Sequence, residues 1–134
     1  MEVPRALILF GHGSRDVRWA QPFLRLRHML SEQLPDTVVE LAFLELMEPR
    51  LPELIAGLAG EGISEATVVP VFFGQGGHVL RDLPVLVEDA RAKHPEMKIA
   101  LADAVGESEA VLRAVALYCV NSLQLSPLPR AGEG

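Results

Sequence analysis

The stretch Ala6-Leu7-Ile8-Leu9-Phe10-Gly11-His12-Gly13-Ser14-Arg15-Asp16 decides the fold. Five apolar residues in succession, with no polar alternation, read as a strand buried on both faces, which is the habit of parallel sheets. The run ends in a glycine-flanked histidine. Open parallel sheets keep their ligands just beyond the carboxyl ends of their strands, so this loop is the first place to look for chemistry. Working outward, three more short runs recur at nearly even spacing: Val38–Leu44, Thr67–Phe73 and the shorter Lys98–Leu101.

The segments between these runs carry helical period. Trp19, Phe23, Leu26, Leu30 and Leu34 step by 4, 3, 4 and 4, one stripe of a helix. Leu51, Leu54, Ile55 and Leu58 make a second stripe, and Leu83, Leu86, Val87 and Ala90 a third. Val111, Leu112, Val115, Ala116, Cys119 and Leu123 make the last, with Cys119 expected to be packed inside it. The order β-α-β-α-β-α-β-α implies an α/β domain, a mostly parallel four-stranded sheet with helices on both faces.

Prolines and glycines mark the boundaries. Pro22 fits the start of the first helix and Pro35 stops it; Pro49 and Pro52 open the second, and Gly60 and Gly62 release it. Pro84 is expected in the first turn of the third helix, with Asp82 as its N-cap, and Pro95 ends it. Pro70 falls inside the third strand run, where it cannot donate a ladder hydrogen bond, so a bulge or an idle N–H position is expected there. One domain over residues 1–125 is expected, with an unstructured tail over 126–134.

Composition excludes several classes. Lys plus Arg number 12 against 18 Asp plus Glu, a net charge of −6, which argues against nucleic acid as a partner. One cysteine rules out an intrachain disulfide and a Cys-rich metal site. No apolar run approaches the roughly 20 residues of a membrane helix, and the first ten residues lack a signal-peptide pattern. A cytoplasmic protein with no membrane partner is the expectation.

Three strands then deliver candidates to one edge. The first is followed by His12, the second ends at Phe43-Leu44-Glu45, and the third leads to Gly74-Gln75-Gly76-Gly77-His78. Neighbouring strands lie about 4.8 Å apart, so side chains from three of them can meet at one atom. Two imidazoles and a carboxylate suit a first-row divalent metal with open coordination positions. The glycines permit tight turns, yet the loops match neither a dinucleotide fingerprint nor a P-loop. Ser14 does not sit in the turn of a serine hydrolase. Arg15, Arg18 and Arg81 stand beside the edge, each read either as a structural ion-pair partner or as an anion contact. His28 and His94 read as surface residues.

At Gly11-His12-Gly13-Ser14-Arg15, Phe43-Leu44-Glu45 and Gly77-His78-x-x-Arg81-Asp82-x-Pro84 the sequence resembles the sirohydrochlorin cobaltochelatase and ferrochelatase family, in its small single-domain form. The resemblance runs from about Arg5 to about Leu101. The family also carries a proline in the third strand. A Gly-x-His-Pro turn frequent in the family after its last strand is replaced here by Gly106-Glu107-Ser108-Glu109. The resemblance implies a three-layer, class II chelatase-like fold of flavodoxin-like βα repeats. It also implies insertion of a divalent metal into sirohydrochlorin, for cobalamin or siroheme synthesis.

On that resemblance His12 and His78 are the metal ligands and proton acceptors, with Glu45 beside them as a third catalytic group. Ser14, Arg15, Arg18, Gly76, Gly77 and Arg81 are the candidate substrate contacts, the arginines pairing with carboxylates on the ring's rim. No permanently bound cofactor is expected; Co2+, Fe2+ or Ni2+ is a substrate. The small form is expected to supply a second lobe by homodimerisation. A non-catalytic metal or tetrapyrrole carrier would use the same residues. A domain binding an anionic metabolite at its glycine loops would show no affinity for divalent metal.

Overall fold

The computed structural model describes residues 3–74 and 77–125, with no account of the side chains of Gly77, His78, Leu80, Gln124 and Leu125. Four strands form one sheet: β1 (Arg5–Gly11), β2 (Thr37–Phe43), β3 (Glu65–Pro70) and β4 (Lys98–Leu101). Every pairing is parallel, in the order β2-β1-β3-β4. The helices are α1 (Gln21–Gln33), α2 (Leu51–Gly60), α3 (Gly77–Lys93) and α4 (Glu109–Leu125), with single 3-10 turns at Val17–Ala20 and Val105–Glu107. The α/β architecture is the one the sequence implies.

Alternation along β1 divides two cores. Ala6, Ile8 and Phe10 point to one face, where they meet Leu51, Ile55 and Leu58 of α2 and Leu83, Val87 and Ala90 of α3. Leu9 points to the other face and packs with Phe23 of α1 and with Val39, Leu41 and Phe43 of β2. Three layers result. Helix α1 covers only the β1–β2 half of its face; over the other half Val69 is half-buried and Ala100 exposed. No helix among the described residues is long and apolar enough to cross a membrane.

Pro70 turns out to be harmless. It closes β3, opposite Phe10. The Val71 amide donates to Phe10, so alternation turns the Pro70 nitrogen toward β4, past Leu101 where β4 has ended. No ladder bond is lost.

Two helices depart from expectation. Helix α3 begins at Gly77, so Asp82 is no N-cap and Pro84 lies inside the helix. The glycine-rich loop is therefore shorter than it reads, and Pro84 forfeits one backbone bond in a helix whose apolar stripe still packs on the sheet. Helix α4 does not bury its stripe: Leu112, Val115 and Leu123 are exposed, and Cys119 is exposed with them. The tail over 126–134 lies outside the described residues.

Candidate functional site

The connection after β1 runs to β2 on one side, whereas β2 leads past it to β3 on the other, so strand order reverses between β1 and β3. Crevices form at such points. The His12 loop and residues 71–74 after β3 flank this one, with the end of β2 alongside.

Pairing continues beyond the strands. The Leu44 amide donates to the Gly11 carbonyl at 3.0 Å, and the Glu45 amide to the His12 carbonyl at 3.2 Å. This sets Glu45 next to His12 through the backbone. The side chains follow: His12 Nε2 lies 3.8 Å from Glu45 Oε2, the two 44% and 45% exposed. Metal–ligand bonds of about 2.1 Å place two ligand atoms on one tetrahedral ion roughly 3.4 Å apart. A small rotation of either side chain would let one ion take both, and their half exposure leaves room for it to arrive.

Gly13 makes this approach possible. Its φ is +102°, and a Cβ there would stand 1.8 Å from the Glu45 carbonyl oxygen. Gly74, by contrast, faces open space and has no such duty.

The other expected residues separate into three groups. Ser14 is half-buried, and its Oγ accepts from the Asp16 amide at 3.1 Å, so the hydroxyl shapes the turn. Arg18 is already engaged. Its Nε and Nη2 donate to the two carboxylate oxygens of Asp16 at 3.1 and 2.9 Å, and its amide donates to the same side chain. That grip holds the Asp16 carboxyl below its ordinary range and lifts the Arg18 guanidinium. Arg15 and Arg81 are exposed and form no ion pair among the described residues. They remain available at the rim.

Gly76 lies outside the described residues, and of Gly77 and His78 only the backbone is described, in the first turn of α3. Among the described residues no trio of His, Cys, Asp or Glu converges on a common point. The pair His12 and Glu45 is what they bring together. His28 pairs with Glu32 on the surface of α1, away from this edge.

Sequence reasoning missed three residues here. Asp16 occupies Arg18; the motif Asp-x-Arg could have signalled it, since Asp16 caps the 3-10 turn in which Arg18 lies. Leu46 and Phe73 stand exposed at the ends of the β2 and β3 connections, where an apolar residue in sequence reads as core. A concavity of about 520 Å3 at the entrance to α2 is lined by Glu48, Pro49, Arg50 and Glu53. Its lining among the described residues holds no histidine, which favours the strand edge as the site instead.

The CbiX family model matches residues 6–117. A sirohydrochlorin cobaltochelatase of Methanosarcina acetivorans is 35% identical over 78 residues, 58% of this chain and 60% of that protein. This chain thus spans less than two thirds of that relative's length. A crystal structure of a putative cobalamin biosynthesis CbiX protein from Marinobacter aquaeolei superposes with a TM-score of 0.80 at 32% identity, covering 92% of this chain and all of that one. The sirohydrochlorin chelatase SirB of Bacillus subtilis subspecies spizizenii, in complex with cobalt, superposes with a TM-score of 0.73 at 25% identity. There 89% of this chain covers 51% of SirB.

Proposed function

The chain belongs to the CbiX family, and from that premise we propose that it inserts a divalent metal, cobalt first and ferrous iron second, into sirohydrochlorin. The observation that carries this reading is the 3.8 Å approach of His12 Nε2 to Glu45 Oε2 at the carboxyl edge of a parallel sheet. Imidazole and carboxylate together can accept a first-row divalent ion and leave positions open for the ring nitrogens.

Metallation has two tasks: shedding water from the ion and removing two inner N–H protons from the ring. In this reading His12 holds the ion at the edge, and His78, whose backbone lies in the first turn of α3, is the second ligand and proton acceptor. Glu45, which faces the same nitrogen of His12, helps hold the ion and accepts a proton in turn. The substrate's peripheral carboxylates meet Arg15 and Arg81. A chain of net charge −6 repels an acidic ring at long range, so these local cations must prevail at short range.

A homodimer is part of the proposal. Helix α4 presents an apolar surface that its own domain leaves uncovered. That supports a second copy completing the cleft. Cytoplasmic residence and a place in cobalamin or siroheme synthesis belong to the same reading.

The test is anaerobic incubation of limiting protein with excess sirohydrochlorin and Co2+, Fe2+ or Ni2+, followed by absorbance. Many turnovers per chain are expected, falling to the uncatalysed rate in His12→Ala and His78→Ala. Glu45→Gln should lose at least about a hundredfold, the lower end of what a positioned proton acceptor contributes. No acceleration over the protein-free control with any of these metals would overturn the proposal in favour of a carrier.

A further inference from the structure

We propose that Leu46 and Phe73 are specificity-determining residues, an apolar shelf on either side of His12 against which one flat face of the macrocycle lies. This deepens the metal-insertion reading and rests on it.

Placement comes first. In the order β2-β1-β3, the β2 connection carries Leu46, the β1 connection His12 and the β3 connection Phe73. Leu46 directly follows Glu45, whose amide is tied to the His12 carbonyl. Phe73 lies two residues past Val71, whose amide is tied to the Phe10 carbonyl. Two strand spacings put the outer connections about 10 Å apart with the imidazole between them. That is the breadth of a tetrapyrrole core, whose metal-binding nitrogens are central and whose charges are peripheral.

Exposure comes second. Leu46 is 48% exposed and Phe73 57%. Single exposed apolar residues are ordinary on protein surfaces, so exposure alone decides nothing.

What decides is that the backbone at both positions is held in unusual ways. Leu46 has φ of +70°, a region that bulky side chains seldom enter and that Asn or Gly would occupy without cost. Such outliers gather at ligand sites, where surrounding structure enforces them. Phe73 is clamped from behind: the Gly106 amide donates to the Phe72 carbonyl at 3.2 Å, and a Cβ at Gly106 would stand 2.4 Å from the Phe73 α-carbon. Only a glycine lets the Val105–Glu107 turn come so close. Two unrelated devices thus fix two exposed apolar side chains on opposite sides of one imidazole. A flat apolar face with a polar rim fits that arrangement, with Phe73 offering an aromatic surface for offset stacking and Arg15 and Arg81 left to the rim.

The experiment uses the full chain and the variants Leu46→Asn and Phe73→Ala. Metal-free sirohydrochlorin is titrated by absorbance, Co2+ binding is measured alone, and KM and kcat are determined with thermal midpoint and sedimentation alongside. Each variant should bind the ring about tenfold more weakly, the scale of losing half a large apolar side chain's burial. KM should rise with kcat little changed, and Co2+ binding should stay as it is. Leu46→Asn should also melt no lower than the parent, because Asn suits a positive φ. Unchanged ring affinity in both variants, with the parent binding the ring, overturns the shelf and leaves the metal-insertion reading standing. A shift from dimer to monomer without loss of ring affinity also overturns it, by assigning both residues to a second copy. A parent chain that neither binds nor metallates sirohydrochlorin removes the metal-insertion reading itself, and the shelf with it.

Discussion

Gly13 lies against the backbone of Glu45 so closely that a Cβ on it would fall 1.8 Å from the Glu45 carbonyl oxygen. The two residues belong to connections from neighbouring strands, and the hydrogen bond from the Glu45 amide to His12 draws those connections together. The absence of a side chain at position 13 is therefore what allows a carboxylate and an imidazole to share one corner of the sheet edge. Backbone proximity comes first, and side-chain proximity follows from it.

Gly13→Ala should accordingly damage both stability and site. The φ of +102° and the overlap with Glu45 together should cost at least about 2 kcal/mol. In a domain of this size that is a fall of roughly 5–10 °C in thermal midpoint. Metal affinity should drop as well, because relieving the overlap pushes Glu45 from His12. Calorimetry and Co2+ titration of the folded variant check the two halves separately. An alanine variant that melts and binds like the parent would refute the account of this corner.

The rim arginines should divide by partner. Arg15 and Arg81 have no ion pair among the described residues, whereas Arg18 spends its fork on Asp16. Arg15→Ala and Arg81→Ala should raise KM for sirohydrochlorin several-fold and flatten its dependence on salt, since an exposed charge pair weakens with screening. Arg18→Ala should change KM little. Initial rates across a salt series are sufficient, and an Arg18 effect equal to the other two would contradict the division.

Asp16 gives a pH signature. Its carboxyl is held below the ordinary range chiefly by the side-chain hydrogen bonds of Arg18, then by the Arg18 amide. A carboxyl whose folded pKa is depressed stabilises the fold above its unfolded pKa and loses that contribution as pH falls through the folded value. Asp16→Ala should therefore melt slightly below the parent at neutral pH, with the gap closing below the ordinary carboxylate range. Both groups are exposed, so the gap is small. Thermal melts of the two proteins from pH 7 downward measure it, and a gap that widens on acidification would reverse the assignment.

How far the sequence could be read depended on whether a signal was local. The unbroken run Ala6–Phe10 announces a strand buried on both faces, and Lys98–Leu101 matches β4 residue for residue, because burial and periodicity are written into consecutive positions. His12 and Glu45 were legible because both sit where a strand ends. The start of α3 was not. Gly77 and a proline seven residues on argue locally for a loop, and the helix forms anyway because Val79, Leu83 and Val87 bury against the sheet. Leu46 and Phe73 were invisible as site residues, since sequence shows apolarity but not exposure. Cys119 was misplaced for the same reason.

Helix α4 carries the last prediction. A helix with this much apolar surface ordinarily packs against something, yet α4 touches its own domain mainly at the Val105–Glu107 turn. Leu112, Leu117, Tyr118, Val120 and Leu123 stand exposed around it. Covering them with a second copy would remove several hundred Å2 per chain, a large share of the roughly 800 Å2 per partner of a standard stable interface. Leu117 and Leu123 lie roughly 120° apart at 3.6 residues per turn, so they probe different flanks of the same helix. The parent should sediment as a dimer at micromolar concentration, and Leu117→Asp or Leu123→Asp as a monomer. Because α4 contributes little to the core of its own domain, both variants should keep most of the parent's helical and strand signal in circular dichroism. Metal insertion should fall with the dimer if the cleft needs two lobes. A parent that sediments as a monomer, or a dimer indifferent to both aspartates, would show that α4 is not where two copies meet.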